Sequence, residues 1–187
     1  MENENLDILN LIEESIRNNR KAQLTLYKQY VKSMYNTSLR IVKNTVTAED
    51  IVQEAFLAAF RSLKSFRQEV PFSAWLRRIV INKSLDHIRK QNKFLLEFCE
   101  EINDLPDTAE IENTDNNSVL QKKLLRHIKE EMTLLPDGYR VIFSLFYFEG
   151  YDHEEIGQIL NISASSSRSQ LTRAKQRIIR NLKQKNQ

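Results

Sequence analysis

The chain has 187 residues, which is enough for one medium-sized domain or two small ones. Apolar residues make up 41% of it and charged residues 28%, so a packed core is expected and a wholly disordered chain is excluded. Only three glycines and three prolines are present, too few for the turns of a β-sandwich, a barrel or a dinucleotide-binding α/β fold, and we predict an all-α protein with long helices.

Charge divides the chain into three segments that the net charge of +3 conceals. Residues 1–93 contain 16 basic and 10 acidic residues. Residues 94–120 contain eight acidic residues and no basic one, and residues 121–187 contain 12 basic and seven acidic residues. Basic segments attract polyanions such as nucleic acids, whereas an acidic, polar stretch is a poor candidate for a packed element. We predict two small helical domains, residues 1–93 and 119–187, joined by an acidic, flexible linker at residues 94–118.

Periodic apolar residues predict four helices in the first domain. Two amphipathic helices come first, separated by a polar break at residues 17–20. The third helix is expected to be capped by Thr47 and to extend to about Ser65. The fourth follows Pro71, a residue suited to a helix start, and extends to about Gln91.

The third helix has an acidic face opposite an apolar one. Residues three or four positions apart lie on the same side of a helix, so four polar residues share this acidic face: Glu49, Asp50, Gln53 and Glu54. Such a surface suits a basic partner, and ordinary solvated charge is the alternative. A carboxylate metal site is not expected, because adjacent helical carboxylates diverge and no histidine is near in the sequence.

Aromatic and basic residues are interspersed around the start of the fourth helix. A protein that opens duplex DNA needs apolar pockets for unstacked bases and a cationic track for the backbone. Three aromatic residues supply the pockets, and the track comes from Arg67, Arg77, Arg78 and Lys83. The amide of Asn82 can also hydrogen-bond a flipped base. The residues expected to contact DNA form an aromatic-basic cluster: Phe66, Arg67, Phe72, Trp75, Arg78, Asn82 and Lys83. Phe72 and Trp75 are also spaced for a place in the core, and the two roles are compatible.

The second domain ends in a helix-turn-helix pattern. It begins with a helix that stops at Pro136 and a compact apolar helix. A short helix at residues 153–160 follows, then a turn at residues 161–163 and a long helix from residue 164 to about 185. A short helix, a tight turn and a long basic helix are typical of the motif that places its second helix in the major groove of DNA.

Basic and hydroxyl side chains dominate that last helix. From residue 165 onward it has seven basic residues and no acidic one. Ser163 is a suitable cap, and arginine is the side chain that most often recognises guanine. The residues expected to face DNA are Ser165, Ser166, Arg168, Ser169, Arg173, Lys175 and Arg177. A solvated basic helix that packs only on its own domain is the alternative.

Four motifs, in this order, resemble RNA polymerase sigma factors of the extracytoplasmic-function (ECF) group of the sigma-70 family, over about residues 24–182. Residues 48–56 (AEDIVQEAF) are similar to the helix that docks on the clamp of the largest polymerase subunit. Residues 66–82 resemble the segment that melts and recognises the minus-ten element. Residues 134–151 and 167–174 resemble the start of the C-terminal domain and its helix for the minus-thirty-five element.

The resemblance implies a bacterial transcription initiation factor and not an enzyme. It implies that the acidic face binds core RNA polymerase, that the aromatic-basic cluster contacts the minus-ten element, and that the last helix contacts the minus-thirty-five element. The implied partners are the polymerase, through the clamp of its largest subunit and the flap of its second largest, promoter DNA and an anti-sigma factor. The sequence departs from the family at residues 165–167, where three serines stand in place of the Gly-Thr-Val of many members.

Two other classes of function compete with this interpretation. A helix-turn-helix regulator that binds duplex DNA without polymerase is the main alternative, and in it the N-terminal aromatic residues would serve only as core. A nucleic-acid enzyme would need a metal, but the three histidines, His87, His127 and His153, are scattered, and no Ser/His/Asp array or phosphate loop is present. We expect neither a metal nor another cofactor.

Targeting and redox signals favour a cytoplasmic location. No window reaches the roughly 18 to 20 apolar residues of a membrane span, and the first ten residues are polar and acidic rather than typical of a signal peptide. The single cysteine, Cys99, excludes an internal disulfide and a multi-thiolate metal site, which fits a reducing compartment. We therefore expect a soluble protein that is not exported.

Overall fold

The structure, a computed structural model, describes residues 2–91 and 118–185, with side chains described for residues 7–91 and 125–184. Over these ranges the backbone forms helices and their connections and contains no strand. The predicted all-α fold is therefore confirmed. Its helices belong to two compact units, each with its own core, which are described in turn below.

The two units are Met1–Ile88 and Arg89–Gln187. The predicted linker and Cys99 lie outside the described residues, except for Ser118 at the end of the linker, and the predicted domain boundaries stay predictions. Within the described part of the chain, no helix is both long and apolar enough to cross a membrane.

The first unit is built of four helices and a short 3-10 turn. They are α1 (Glu2–Ile16), α2 (Arg20–Val42), α3 (Thr45–Ser62), the turn at Leu63–Ser65, and α4 (Phe72–Lys90). Asn44 caps α3, since its side-chain oxygen accepts a hydrogen bond of 2.9 Å from the backbone N–H of Thr47. The prediction that Thr47 is the cap is therefore wrong. Asn44, in extended backbone, starts the helix three residues earlier.

Apolar side chains from all four helices form the core of the first unit. Leu26 of α2, Phe56 of α3 and Leu76 of α4 are among its most buried members. A buried hydroxyl pair also joins α4 to α2, with 3.0 Å between the side-chain oxygens of Ser84 and Ser38. This core fixes the inner faces of α3 and α4 and leaves their outer faces to solvent.

The second unit is also built of four helices. They are α5 (Ser118–Leu134), α6 (Asp137–Tyr147), α7 (His153–Leu160) and α8 (Ala164–Lys185). Helix α6 is the most buried of them, and it contains a charged side chain, Arg140, that is only 1% exposed. The guanidinium of Arg140 donates to the backbone carbonyl of Leu135 (3.1 Å) and pairs with the carboxylate of Asp137 (2.7 Å).

Helix α7 has defined signals at both ends. Asp152 and Glu155 form a capping box at its start, with hydrogen bonds of 2.8 and 2.9 Å. It ends at Asn161, which has the left-handed conformation (φ 59°) that commonly terminates helices. A glycine is required at position 157, because a Cβ there would lie 2.8 Å from the backbone carbonyl oxygen of Ile162 in the turn.

Helix α8 begins after this turn and packs along α7, as the sequence predicts. The side-chain oxygen of Ser163 accepts a hydrogen bond of 3.0 Å from the backbone N–H of Ser166, which confirms Ser163 as the cap. Both helices bury an apolar side, and its members are Ile156, Leu160, Leu171, Ala174 and Ile178. The helix-turn-helix is therefore a packed element of the second unit.

Candidate functional site

The acidic face on α3 points to solvent along its whole length. All four of its residues, Glu49, Asp50, Gln53 and Glu54, are exposed, whereas the intervening apolar residues are buried. The carboxylate of Glu54 lies 3.1 Å from the ammonium of Lys83 on α4. This contact joins the acidic face to a member of the aromatic-basic cluster, so the two predicted sites are neighbours on the first unit.

An exposed apolar residue that was not predicted from the sequence lies beside the acidic face. Leu57 is 57% exposed and lies three and four residues after Glu54 and Gln53, and so on the same side of α3. Its position in the sequence could have indicated this surface, because an apolar residue is not expected on the polar, solvent-facing side of an amphipathic helix. Leu57 therefore adds apolar surface to the acidic face.

The three aromatic residues of the aromatic-basic cluster lie together. The ring centroids are 5.2 Å apart for Phe66 and Trp75, and 5.8 Å from Phe72 to each of the other two. Phe72 is only 4% exposed and also packs against Tyr30, whereas Phe66 and Trp75 are half-buried. The ring of Phe72 therefore lies inside the core and supports the other two, which is one of the two compatible roles expected for it, and its contact with DNA stays a prediction.

The polar members of the cluster are accessible. Arg67, Arg78 and Asn82 are exposed, and Lys83 is half-buried where it contacts Glu54. On α4, positions 75, 78 and 82 follow the three- and four-residue spacing of one helix face. Trp75, Arg78 and Asn82 therefore form a continuous outer stripe of a ring, a cation and an amide, next to Phe66.

The predicted DNA-facing residues of α8 divide into exposed and half-buried positions. Those exposed are Ser165, Arg168, Ser169 and Arg177, and those half-buried are Ser166, Arg173 and Lys175. Two of the hydroxyls already bond within the helix. Ser169 donates to the carbonyl of Ser165 (3.1 Å), and the hydroxyl of Ser166 accepts from the amide of Gln170 (3.3 Å).

Two contacts join the start of α7 to α8. The guanidinium of Arg168 donates to the carboxylate of Glu154 at 2.8 Å. Nδ1 of His153 lies 2.9 Å from the hydroxyl oxygen of Ser167, a buried residue, and the His153 ring stacks on Phe146 with 4.9 Å between centroids. Neither contact was predictable from the sequence, because the partners are 14 residues apart and meet only through the angle of the turn.

The surroundings of His153 favour its neutral form. Burial lowers the pKa of this imidazole, and the guanidinium of Arg168 and the ammonium of Lys175 lower it further. The carboxylates of Glu154 and Asp152 act in the opposite direction. Among the residues that the structure describes, no three His, Cys, Asp or Glu side chains are grouped to hold a metal ion.

Comparison with protein families gives two matches. The model for sigma-70 region 2 matches residues 26–94, and the model for sigma-70 region 4 matches residues 125–178. The first match includes the acidic face and the aromatic-basic cluster, and the second includes α7 and most of α8.

Similar proteins are ECF sigma factors. The ECF RNA polymerase sigma factor SigW of Bacillus subtilis is 29% identical over 172 residues, with 82% of this chain and 85% of the relative covered. The ECF RNA polymerase sigma-E factor of Haemophilus influenzae is 28% identical over 173 residues, with 90% and 91% covered.

Two solved structures share the fold. CnrH, in complex with the cytosolic domain of CnrY, aligns with a TM-score of 0.56 at 21% identity, covering 95% of this chain and 97% of that one. The sigma factor RpoE from Bartonella quintana, in complex with the anti-sigma factor NepR, aligns with a TM-score of 0.57 at 20% identity, covering 85% and 95%.

Proposed function

Because the chain belongs to the ECF group of the sigma-70 family and directs RNA polymerase to specific promoters, we propose that its two domains divide this task between them. Residues 1–93 bind core polymerase and open the minus-ten element, residues 119–187 hold the minus-thirty-five element, and residues 94–118 link them. Nucleotide addition remains with the polymerase, so the chain is a cytoplasmic initiation factor and not an enzyme. The alternative of a regulator that acts without polymerase is set aside, because the region 2 match lies at residues 26–94.

The acidic face is the proposed contact with the clamp of the largest polymerase subunit. Its carboxylates are exposed on a helix whose other side is fixed in the core. Leu57 adds an apolar anchor beside them. Complementary charge around an apolar contact gives both fast association and a defined register, as a polymerase-docking surface requires.

The outer stripe of α4 is the proposed contact with the minus-ten element. The half-buried rings of Phe66 and Trp75 offer stacking surfaces for unpaired bases, and Phe72 holds them from beneath. Asn82 supplies an amide for a base edge, and Arg78 supplies charge for the backbone.

Helix α8 is the proposed contact with the minus-thirty-five element. It follows a capped turn, packs on α7, buries an apolar side and exposes Arg168 on its outer side. Arg173 lies half-buried about one and a half turns further along the same helix. We place the flap of the second largest polymerase subunit on this unit too, where Tyr147 and Leu134 are exposed apolar residues outside α8.

An anti-sigma factor is a further proposed partner. Both structural relatives are bound to a second protein, which for RpoE is named as an anti-sigma factor. A protein that covers the acidic face or α8 of this chain would block polymerase or promoter binding, since both surfaces are exposed in it.

The observation that carries the proposal is the separation of exposed charge, acidic on α3 and basic on α8. The test is the affinity of the full chain for bacterial core polymerase after charge reversal at one exposed acidic residue. Asp50→Lys is expected to weaken binding by about tenfold or more, because like charges then meet across the interface. Glu13→Lys makes the same change on α1 of the same unit and should leave the affinity unchanged.

Equal affinity of the Asp50→Lys variant and the unmodified chain would remove the acidic face from the polymerase interface. An equal loss in both lysine variants would show a general effect of charge and would also contradict the assignment.

A further inference from the structure

Two consecutive residues of α7 contact two consecutive residues of α8. Glu154 receives a hydrogen bond of 2.8 Å from Arg168, and His153 lies 2.9 Å from the hydroxyl of Ser167. Ser167 is fully buried, so this second contact belongs to the buried side of α8 and fixes the register of the two helices. Arg168 extends outward from the next position, and its direction is then set by Glu154.

Stability does not account for the pair of Glu154 and Arg168. The two side chains are 62% and 57% exposed, and ion pairs at that exposure contribute little to folding because water and salt screen them. The effect of the pair is instead on the conformation of the Arg168 side chain. A long arginine side chain that is free in solution must lose rotamer freedom on binding, whereas one already held by a carboxylate has lost part of it beforehand.

We propose that Glu154 is a positioning residue for promoter specificity, which holds the guanidinium of Arg168 ready to contact one base pair of the minus-thirty-five element. The inference rests on the proposed function of α8. The pair uses one donor, on Nη2, of the five that a guanidinium carries, so Arg168 retains the geometry needed for two parallel bonds to a guanine edge. Glu154 acts through Arg168 and does not itself touch the base.

Glu154 has two opposite effects on DNA binding, one on affinity and one on discrimination between base pairs. Measuring both distinguishes a positioning role from an effect of its negative charge alone. Its carboxylate repels phosphates, so its removal raises the affinity for DNA of any sequence. Its removal also frees Arg168 and lowers the discrimination between the cognate base pair and its substitutes. Only a residue that acts through Arg168 produces both effects at one position of the element.

The experiment uses holoenzyme assembled from the full chain and bacterial core polymerase. The probe is a promoter recovered by run-off transcription from a library, together with fragments that carry single base-pair substitutions in its upstream element. The quantity measured is the ratio of affinities for the recovered and the substituted promoters. The variants are Glu154→Ala, Arg168→Ala, the double variant of these two, Arg173→Ala, and Glu130→Ala, which removes one exposed negative charge from α5 of the same unit.

Arg168→Ala should reduce discrimination at one base pair by about 5- to 150-fold. Glu154→Ala should reduce it at that same base pair by about two- to tenfold, as expected when one ordered side chain becomes free. The double variant should lose no more than Arg168→Ala alone, and Glu130→Ala should leave discrimination unchanged.

Two results would overturn the inference: unchanged discrimination in Glu154→Ala, or a loss of the same size when Arg168 is already alanine. Failure of the underlying proposal gives a different result, in which Arg168→Ala and Arg173→Ala change discrimination at no position of the upstream element.

Discussion

The two units differ in the polar groups that they bury. Where side chains are described, the first unit buries only small hydroxyl side chains, which are Ser15, Thr37, Ser38 and Ser84. The second unit buries charged and amide side chains as well as serines, namely Glu131, Arg140, Ser144, Ser167 and Gln170. The first core is therefore held mainly by apolar volume, and the second core also depends on the pairing of polar groups.

This difference bears on how each unit presents its functional surface. In the first unit, Phe72 and Leu76 fill the core beneath the outer stripe of α4, so the stripe is held mainly by packing, besides the buried hydroxyl contact between α4 and α2. In the second unit, Asn181 near the end of α8 donates to the buried Glu131 of α5 at 2.8 Å, and His153 contacts Ser167 near its start. Helix α8, the proposed DNA-binding helix, is thus fixed at both ends by directional contacts.

The largest expected effect is at the buried charge of the second unit. Arg140→Ala should lower the free energy of unfolding of this unit by about 4 kcal/mol, because it removes a buried guanidinium that pairs with the Asp137 carboxylate. Arg140→Met, which keeps the volume, should cost nearly as much. Amide hydrogen exchange of the full chain, resolved by unit, measures both losses.

Addition of Asp137→Asn to the Arg140→Met variant is the control, since it removes the negative charge that paired with the guanidinium and should restore part of the stability. If the Arg140→Met variant alone were as stable as the unmodified chain, the second core would depend on side-chain volume, as the first core does.

The matched change in the first unit is at Leu76, which is fully buried in α4. Leu76→Ala should lower the free energy of unfolding of this unit by about 3 kcal/mol, through lost burial and a cavity. Leu76→Met conserves the volume and should cost less than about 1.5 kcal/mol. The same exchange measurement applies, and a methionine variant as unstable as the alanine variant would contradict the comparison.

A smaller effect is expected at the turn of the helix-turn-helix. Gly157→Ala places a methyl group 2.8 Å from the carbonyl oxygen of Ile162, so the turn must shift, at a cost of about 1 to 3 kcal/mol. Gln158→Ala, on the exposed side of the same helix, should change stability by less than about 0.5 kcal/mol. Thermal unfolding of the two variants gives the comparison, and equal stability would mean that the turn tolerates a side chain.

The smallest effect is the pH dependence at His153. Its pKa is lower in the folded protein than in the unfolded chain, so the unfolded chain binds more protons once the pH falls through about 6.5. The second unit should therefore lose stability between about pH 7.5 and pH 5.5. His153→Gln should reduce this loss in exchange measurements at the two pH values. An identical pH dependence in both proteins would show that His153 makes no contribution to it.

Local signals in the sequence were sufficient for most of the fold. The predicted bounds of α8, residues 164 to about 185, agree with the structure, because a capping serine and a polar turn mark its start. The start of α3 was less certain in the sequence, since Asn44 and Thr47 are both good caps and only the backbone geometry distinguishes them.

Contacts between distant residues were not predictable in the same way. The pair of Glu154 and Arg168 depends on the angle between α7 and α8, and the burial of Arg140 depends on how α6 packs against its neighbours. Phe72 and Trp75 have the same chemical character and lie one turn apart, so the sequence could not say that the first is core and the second lies at the surface.

We propose that one domain binds polymerase and the other selects promoters through the minus-thirty-five element. The most direct test is run-off transcription on a genomic promoter library with bacterial core polymerase. We expect the unmodified chain to direct initiation at a discrete set of promoters that share two spaced motifs. Asp50→Lys should reduce initiation at all of them, whereas Arg168→Ala with Arg173→Ala should change which promoters are used. If both variants reduced every promoter equally, or if the unmodified chain produced no new start sites, the account would be contradicted.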